Sequence, residues 1–522
     1  MEEMIQNRKY PSGIARTVIV ATCITASMLE LVDVTVVNVC LRHIAGSVGA
    51  STNDVAWVST AYAISNVIII PLSGMLSQLI GEKRYFTFSI LLFTFASFMC
   101  GNSTELWQLI IWRSIQGLGG GALMAQSQTI LVTSFPPEKL NMATMIYGIG
   151  VASAPALGPT IGGIITDNYS WNWIFFINVP LGLMAATTSW MVVQNEKNPH
   201  LRNNIDWWGI LFLAVGIGSL QYVLEDGNKN NWFDDNNITA FSIIAAVGVI
   251  AFIIWELIVK FPAVNIKLLK SRNLALGVFF NGIMGALLYI AIYAFPLMAQ
   301  INLGWTTTLS GLSLVPGTIV SIIGMGISKK MMAKGVSPRT LMIWGFVSTF
   351  IFGAWMCYQS PGSSWWGLFF PLLFRGLGIG LFMLPVLIMA LEGLKGTDIG
   401  QGAGLANMAK QLGGAVGLAM IGTHISNAQA ADQALLSSDI TQYAPNSTNA
   451  ITNLTSMLHG AGYNADSAHQ LCYKLFSNVI YQQSSLLSYL SSFRVLAIVC
   501  VVSLPLMFLL KKHNTLPVNK KA

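Results

Sequence analysis

Charge is what this sequence has least of. Asp, Glu, Lys and Arg together make up 9% of its 522 residues, against 54% apolar residues. Soluble domains carry about 25% charged residues, so a water-solvated globule is excluded and an integral membrane protein is implied. Cysteine is scarce as well. The six cysteines (Cys23, Cys40, Cys100, Cys357, Cys472 and Cys500) show no metal-ligand spacing. Five lie in or at the ends of apolar runs, where a thiol behaves as a small hydrophobe. Cys472 stands alone in a polar segment, so neither a structural disulfide nor a metal site is expected. Catalytic signatures are missing: there is no Gly-(four residues)-Gly-Lys-Ser/Thr phosphate loop, no His-Glu-x-x-His and no Gly-x-Ser-x-Gly. The run Gly117-Leu-Gly119-Gly-Gly-Ala122 fits a dinucleotide fingerprint but has no strand before it. Neither an enzyme nor a cofactor other than protons is expected. The formal charge of +7 does not indicate nucleic acid, because the Lys and Arg sit mostly in short loops between apolar runs, as topology signals do.

What the chain has is apolar runs. Fourteen spans are expected, at about 16–41, 53–79, 85–102, 105–133, 141–166, 171–193, 207–225, 238–259, 273–300, 307–332, 338–358, 363–391, 401–427 and 489–510. All should be helices, since a lipid-exposed span must satisfy its own backbone. Basic residues precede the first run as in a signal peptide, but the run is too long and too acidic for one, so it is read as helix 1. With both termini placed in the cytoplasm, 21 of the 28 Lys and Arg fall inside and four outside, a strong positive-inside bias. Arg113 with its following glycines in span 4 is echoed by Arg375 with Gly376 in span 12. Repeated halves are common in secondary transporters. An eight-helix offset predicts a six-helix bundle over 1–193, two inserted helices over 194–272, and a second six-helix bundle over 273–522. The second bundle includes a long polar outer loop, 426–489, with an amphipathic helix over 465–484. Contact with a partner and a plain solvated spacer are equal readings of that loop.

Two carboxylates in the first run organise the rest. Glu30 and Asp33 are three residues apart, on one helix face, where a charge costs about 2.5 to 3.5 kcal/mol on insertion scales. The functional reading is that Asp33 handles a proton; the alternative is a permanent staple to a buried Arg. Arg113 lies at a similar depth, roughly 12 Å below the outer edge, so the two can pair. In span 5, Pro155 and Pro159 should bend the helix. Gly158, Gly162 and Gly163 give it a smooth face for close approach, suited to sliding between two halves. Gly74, Gly81, Lys83 and Arg84 mark a tight inner turn between spans 2 and 3. Lys410 and Arg375 lie inside spans and suit an anionic ligand or a carboxylate partner. Glu256 and Glu392 lie nearer the inner surface and are read as solvated.

These residues together resemble the major facilitator superfamily, specifically its fourteen-helix drug:proton antiporters. Val32-Asp33-Val-Thr35-Val-Val-Asn38-Val is similar to that family's helix 1 element. The segment from Arg113 to Gly117 resembles its span 4 motif, and Gly158 to Gly163 its antiporter motif. Trp171-Asn-Trp173-Ile-Phe-Phe-Ile-Asn178-Val-Pro180-Leu-Gly182 resembles a further signature. The long outer loop before the last span is similar to that of EmrB-like multidrug efflux permeases. The resemblance implies proton-driven export of hydrophobic compounds across a bacterial inner membrane by alternating access. Asp33, Glu30 and Arg113 would couple the proton. Arg375, Lys410, Asn38, Gln116 and Asn407 would line the substrate cavity. Expected partners are the lipid bilayer, hydrophobic small molecules, an EmrA-like periplasmic adaptor and a TolC-like outer-membrane channel. The alternative is export of one metabolite, such as a fatty acid or siderophore. Three positions depart from the family pattern: Gln78 stands where Asp is common, Arg42 where Pro is common, and Glu30 where a neutral polar residue is usual.

Overall fold

The structure, a computed structural model, describes residue 11 and residues 13–194, 205–394, 398–438 and 445–509. Among the described residues all regular structure is helical. A helix stands at the place of every expected span. These are α1 (Ile14–Val48), α2 (Trp57–Ile80), α3 (Glu82–Gly101), α4 (Leu106–Ser134), α5 (Pro137–Asn168), α6 (Asn178–Val192, preceded by the turn Trp173–Phe176) and α7 (Trp207–Asp226). The second set is α8 (Asn236–Ile258), α9 (Arg272–Asn302), α10 (Val315–Ala333, preceded by Thr307–Leu312), α11 (Pro338–Met356), α12 (Trp365–Leu391), α13 (Asp398–Ser438) and α14 (Ala465–Leu506). Eleven of these stretches are long and apolar enough to cross a membrane. The other three, α4, α5 and α13, are diluted by glycines or polar side chains.

The molecule is polar inside and apolar outside, the reverse of a soluble fold. On α8, Ile243, Val247, Ile250, Ile254 and Ile258 are all more than half exposed, one helical turn apart. Phe88, Leu91, Phe95 and Phe98 form a similar stripe on α3. Meanwhile Arg113, Gln116, Gln126 and Asp33 are buried. Burying charge while exposing isoleucine is stable only where the surrounding solvent is hydrocarbon.

The helix pairings repeat with an offset of eight. α4 lies against α2 as α12 lies against α10. α3 meets α4 and α6 as α11 meets α12 and α14, and α1 meets α5 as α9 meets α13. Small residues make the repeated contact. A Cβ on Gly117 would strike the Tyr62 carbonyl of α2, and one on Gly376 would strike the Gly317 carbonyl of α10. The Arg-glycine echo is therefore a packing device used once in each half. The seam between the halves runs where α2 meets α13 and α5 meets α10. Gly81, at φ 91°, makes the turn from α2 into α3, in a backbone region that disfavours side chains.

α7 lies against α2 and α13, and α8 lies against α7. The two helices cross backbone to backbone, with a Cβ on Gly216 falling 2.6 Å from the Gly248 carbonyl carbon. The ends near Trp207 and Ile258 are tied by acids. Asp206 accepts from Gly209 N (2.9 Å) and Trp255 Nε1 (2.9 Å), and Glu256 Oε1 accepts from Val264 N (3.2 Å). Glu256 is fully buried, which corrects its reading as a solvated side chain.

The largest departure from expectation is the segment 426–489. The helix expected over 465–484 is present as the first part of α14, and the described residues add a continuation of α13 to Ser438 and a short crosspiece, Pro445–Gly460. α13 has 41 residues and α14 has 42. At 1.5 Å per residue each is roughly 60 Å long, about twice the hydrocarbon thickness. The cause is local. Between Thr423 and Ala444 there is neither Gly nor Pro, and Ala is frequent, so propensity favours continuing the helix. Asn464 caps α14 by accepting from Ser467 N at 2.8 Å. Cys472, buried, donates to Ile451 O on the crosspiece at 3.7 Å; all six cysteines are free thiols.

The crossing at Gly216 gives a direct test. Gly216→Leu should lower thermal stability by about 1 to 3 kcal/mol through overpacking. Gly326→Ala, where a Cβ meets open space, should leave it unchanged within about 0.5 kcal/mol. Equal unfolding temperatures for Gly216→Leu and the unaltered protein would contradict the close crossing.

Candidate functional site

The site is built around a cation that cannot lose its charge. A guanidinium stays protonated in any protein interior, and Arg113 on α4 is 1% exposed. Its Nη1, its Nε and one face of its plane are occupied. Nη1 donates to Asp33 Oδ2 at 2.5 Å and to Gln116 Oε1 at 2.8 Å, and Nε donates to Val58 O at 3.1 Å. The Tyr62 ring stacks on the guanidinium at 4.1 Å, a cation–π contact strengthened by desolvation.

Asp33 on α1 is equally enclosed. Its Oδ1 accepts from Gln116 Nε2 and from Asn178 Nδ2, both at 3.0 Å. Asn178, the first residue of α6, also donates to Ser97 Oγ on α3 at 3.1 Å. Helices α1, α3, α4 and α6 are thus joined at one carboxylate. Breaking such a buried pair by removing one partner costs about 3 to 5 kcal/mol. Gln116, expected in the substrate cavity, belongs instead to this sealed cluster.

Glu30, one turn earlier on α1, has a different environment. It is 6% exposed, and its Oε1 accepts from Asn66 Nδ2 at 3.2 Å. Its Oε2 has no partner among the described residues. It lies within electrostatic reach of Lys410 on α13, in the opposite half, with no ion pair formed between them. Lys410 Nζ instead contacts the thioether of Met124 on α4 at 3.4 Å, a weak acceptor. One turn away, Asn407 Nδ2 donates to Gln128 Oε1 at 2.9 Å, again from α13 to α4. Glu30, Lys410 and Asn407 therefore mark the seam, whereas Asp33 lies inside one half. No part of the sequence reading had assigned a role to Asn66, Gln128 or Asn178. Their signal was present as amides inside otherwise apolar runs.

The remaining residues fall elsewhere. Gly158 and Gly162 face α1, not the other half. A Cβ on Gly158 would strike Thr35 Oγ1, and one on Gly162 would come 3.3 Å from Val36. The smooth face of α5 therefore lets it press on the Asp33 helix, which corrects its assignment to a surface between the halves. The side chains of Pro155, Pro159 and Asn38 lie outside the described residues. Gly74 does reach the seam, with a Cβ falling 3.1 Å from Gln401 N of α13. Lys83 lies over the Trp190 ring at 4.9 Å, joining α3 to α6. Arg375 is buried between α12 and α10, away from Lys410 and Asn407 in sequence and contacts. The residues expected to line one cavity are thus divided among three places.

Comparison with known proteins supplies what geometry does not. The family description Major Facilitator Superfamily matches residues 23–418. The chain is 31% identical to the multidrug export protein EmrB of Escherichia coli over 89% of this chain and 90% of that protein. It is 30% identical to the fatty acid resistance protein FarB of Neisseria gonorrhoeae, over 93% and 94% respectively. Among solved structures, the human organic anion transporter MFSD10 aligns with a TM-score of 0.55 at 10% identity, covering 93% of this chain and 99% of that one. The nucleoside transporter NupG aligns at 0.52 and 11%, covering 94% and 100%. At those identities the likeness is one of fold.

The Asp33–Arg113 pair predicts a specific pattern of stabilities. Asp33→Asn and Arg113→Gln should each destabilise the purified protein by about 3 to 5 kcal/mol. The double variant should lose clearly less than the sum, measured by denaturation in detergent. Strict additivity would mean that the two side chains do not share one interaction.

Proposed function

Because the chain belongs to the major facilitator superfamily, whose fold and multi-pass membrane architecture it has, we propose that it exports hydrophobic, drug-like compounds in exchange for protons. The supporting observation is the pair of buried carboxylates one turn apart on α1, held in opposite ways. The membrane is the bacterial inner membrane, with both termini cytoplasmic and all fourteen helices crossing, as the distribution of Lys and Arg favours. Export as the direction of transport follows from the similarity to EmrB.

The proton site is formed by Glu30 and Asp33. Ionised Asp33 is satisfied by three donors, Arg113 on Oδ2 and Gln116 and Asn178 on Oδ1, and a proton on it would remove the charge that Arg113 pairs with and turn one accepting oxygen into a donor. Arg113 would then need new partners, and α1, α4 and α6 would have to shift to supply them. Glu30 carries an open oxygen on the side of the seam and is the first group a proton meets when the halves part. A proton moving from Glu30 to Asp33 would couple an event at the seam to a rearrangement within one half. Gly158 and Gly162 let α5 follow the displacement of α1.

The helical projection formed by α13, the crosspiece and α14 is the surface on which a periplasmic EmrA-like adaptor, leading to a TolC-like channel, would sit. The rigidity of a helical hairpin favours this over a passive spacer. A second reading, export of one amphiphilic acid, draws support from the similarity to FarB and from the unpartnered Arg375.

The test is proton movement in sealed vesicles containing the purified protein and an internal pH dye. Adding a hydrophobic substrate should drive proton flux. Asp33→Asn should reduce that flux by about tenfold or more, the usual weight of a positioned proton-transfer group. Glu30→Gln should also reduce it, and most strongly when the pH on the entry side is high. An Asp33→Asn protein that still concentrates substrate against a gradient at the unaltered rate would remove the proton role.

A further inference from the structure

On the outside of the second half, α11 and α14 leave a groove of about 410 Å³ between them. Arg494, Ile498 and Val502 line it from α14, and Phe350, Ala354 and Tyr358 from α11 and the residues just past its end. Each set is spaced by four residues and so lies on one helix face. Tyr358, Ile498 and Val502 are each more than half exposed. The groove therefore opens away from the bundle, toward lipid.

Its charge is confined to one end. Arg494 is exposed and is the lining residue of α14 nearest the helical projection. It lies beside the Cys357 thiol, which already donates to Gly353 O at 3.1 Å. Exposed Trp355, Tyr358 and Trp366 mark this level as the membrane–water boundary. Val502 is eight residues deeper, about 12 Å, which keeps the groove within one leaflet of a hydrocarbon core about 30 Å thick.

Arg494 has no ion pair among the described residues, and the surrounding sequence offers none. Helices α9, α10, α11 and α12 contain no Asp or Glu, and neither does the crosspiece. The one acid of α14, Asp466, is 28 residues away along the helix, about 42 Å. On α13, His424 meets Ser491 of α14 at 2.9 Å, and Asp432 lies eight residues farther out, about 12 Å. A fixed cation thus heads an apolar groove that faces hydrocarbon.

We propose that this groove holds one anionic phospholipid, with its phosphate on Arg494 and an acyl chain along α11 and α14. The planar fork of a guanidinium matches two phosphate oxygens. The apolar walls take the chain, which a soluble anion lacks. A lipid with a net negative head is favoured over a zwitterionic one, whose own cation competes with Arg494 for the phosphate. The site follows from the membrane architecture and does not depend on what the protein transports.

The experiment is photolabelling of the full-length protein in phosphatidylcholine nanodiscs. The probe is a trace of phosphatidylglycerol carrying a diazirine on its acyl chain, and labelled peptides are mapped by mass spectrometry. Peptides of α11 and α14 that line the groove should be labelled. Unlabelled phosphatidylglycerol should suppress that labelling, whereas inorganic phosphate should not. Arg494→Gln should reduce it about tenfold, the weight of a hydrogen bond to a charged group, and leave labelling elsewhere on the protein unchanged. If that variant fails to fold, Arg494→Lys replaces it and should keep part of the labelling. Ala354→Phe, which fills the groove and leaves the cation, should also reduce it. Unchanged groove labelling in the folded Arg494 variant overturns the proposal. Displacement by inorganic phosphate does so too, since the site would then belong to a soluble anion. Labelling lost in discs that hold two copies would assign the face to a second chain instead. No transport is read, so failure of the export reading would leave this result intact.

Discussion

A guanidinium inside a membrane protein can neither discharge nor reach water, and the N-terminal half is arranged around that constraint at Arg113. Four helices contribute to its solution. α1 brings the carboxylate, α4 the arginine and Gln116, α2 the Val58 carbonyl and the Tyr62 ring, and α6 the amide of Asn178 that steadies the carboxylate. Each contact is ordinary in kind. Together they make the ionised pair tolerable in a medium of low dielectric and bind its protonation state to the positions of the helices around it. The glycines at 117 and 158 belong to the same solution, since without them α2 and α5 would stand too far from the pair to take part.

The repeat gives a second view of the same chemistry. Both halves bury an arginine near a glycine contact, four residues before it in Arg113–Gly117 and directly before it in Arg375–Gly376. One half also supplies the acid. The other pairs its arginine with no carboxylate among the described residues. Between them lies a seam of uneven polarity, where Lys410 comes within electrostatic reach of Glu30 but contacts Met124, and Asn407 reaches Gln128. A seam held by one amide pair and a thioether contact, in place of a closed ion pair, is weakly latched at that level. Such a contact suits surfaces that must separate repeatedly.

Much of this was legible in the sequence, for a physical reason. Acids and arginines are so costly in an apolar run that their positions carry information, and equal depth along two helices was enough to suggest the Asp33–Arg113 pair. Helix positions followed from run length in the same way. Orientation about the helix axis was harder to read. Nothing in Gly158-Pro159-Thr160-Ile161-Gly162 says whether its smooth face meets α1 or the other half, and a Gln three residues after an Arg reads equally well as a cavity wall or a second ligand to the acid. Of the outer segment, the helix over 465–484 is legible in the sequence, whereas the continuation of α13 to Ser438 and the crosspiece are not, because polar composition does not by itself mark a loop. Ala-rich sequence without Gly or Pro continues a helix whether or not one face is apolar, and α13 does so for several turns beyond the hydrocarbon. Glu256 was misjudged because closeness to the inner surface does not imply exposure once a linker folds back over it.

The claim that carries the account is that a buried carboxyl group on α1 changes its protonation state when substrate binds. Infrared difference spectroscopy of the purified protein, recorded as substrate is added at fixed pH, reads this directly. The account predicts a change in the C=O stretch of a protonated carboxylic acid, sensitive to deuterium exchange and altered when Asp33 is replaced by Asn or Glu30 by Gln. A difference spectrum that shows substrate bound but no carboxyl band, or one identical in both variants, would contradict it.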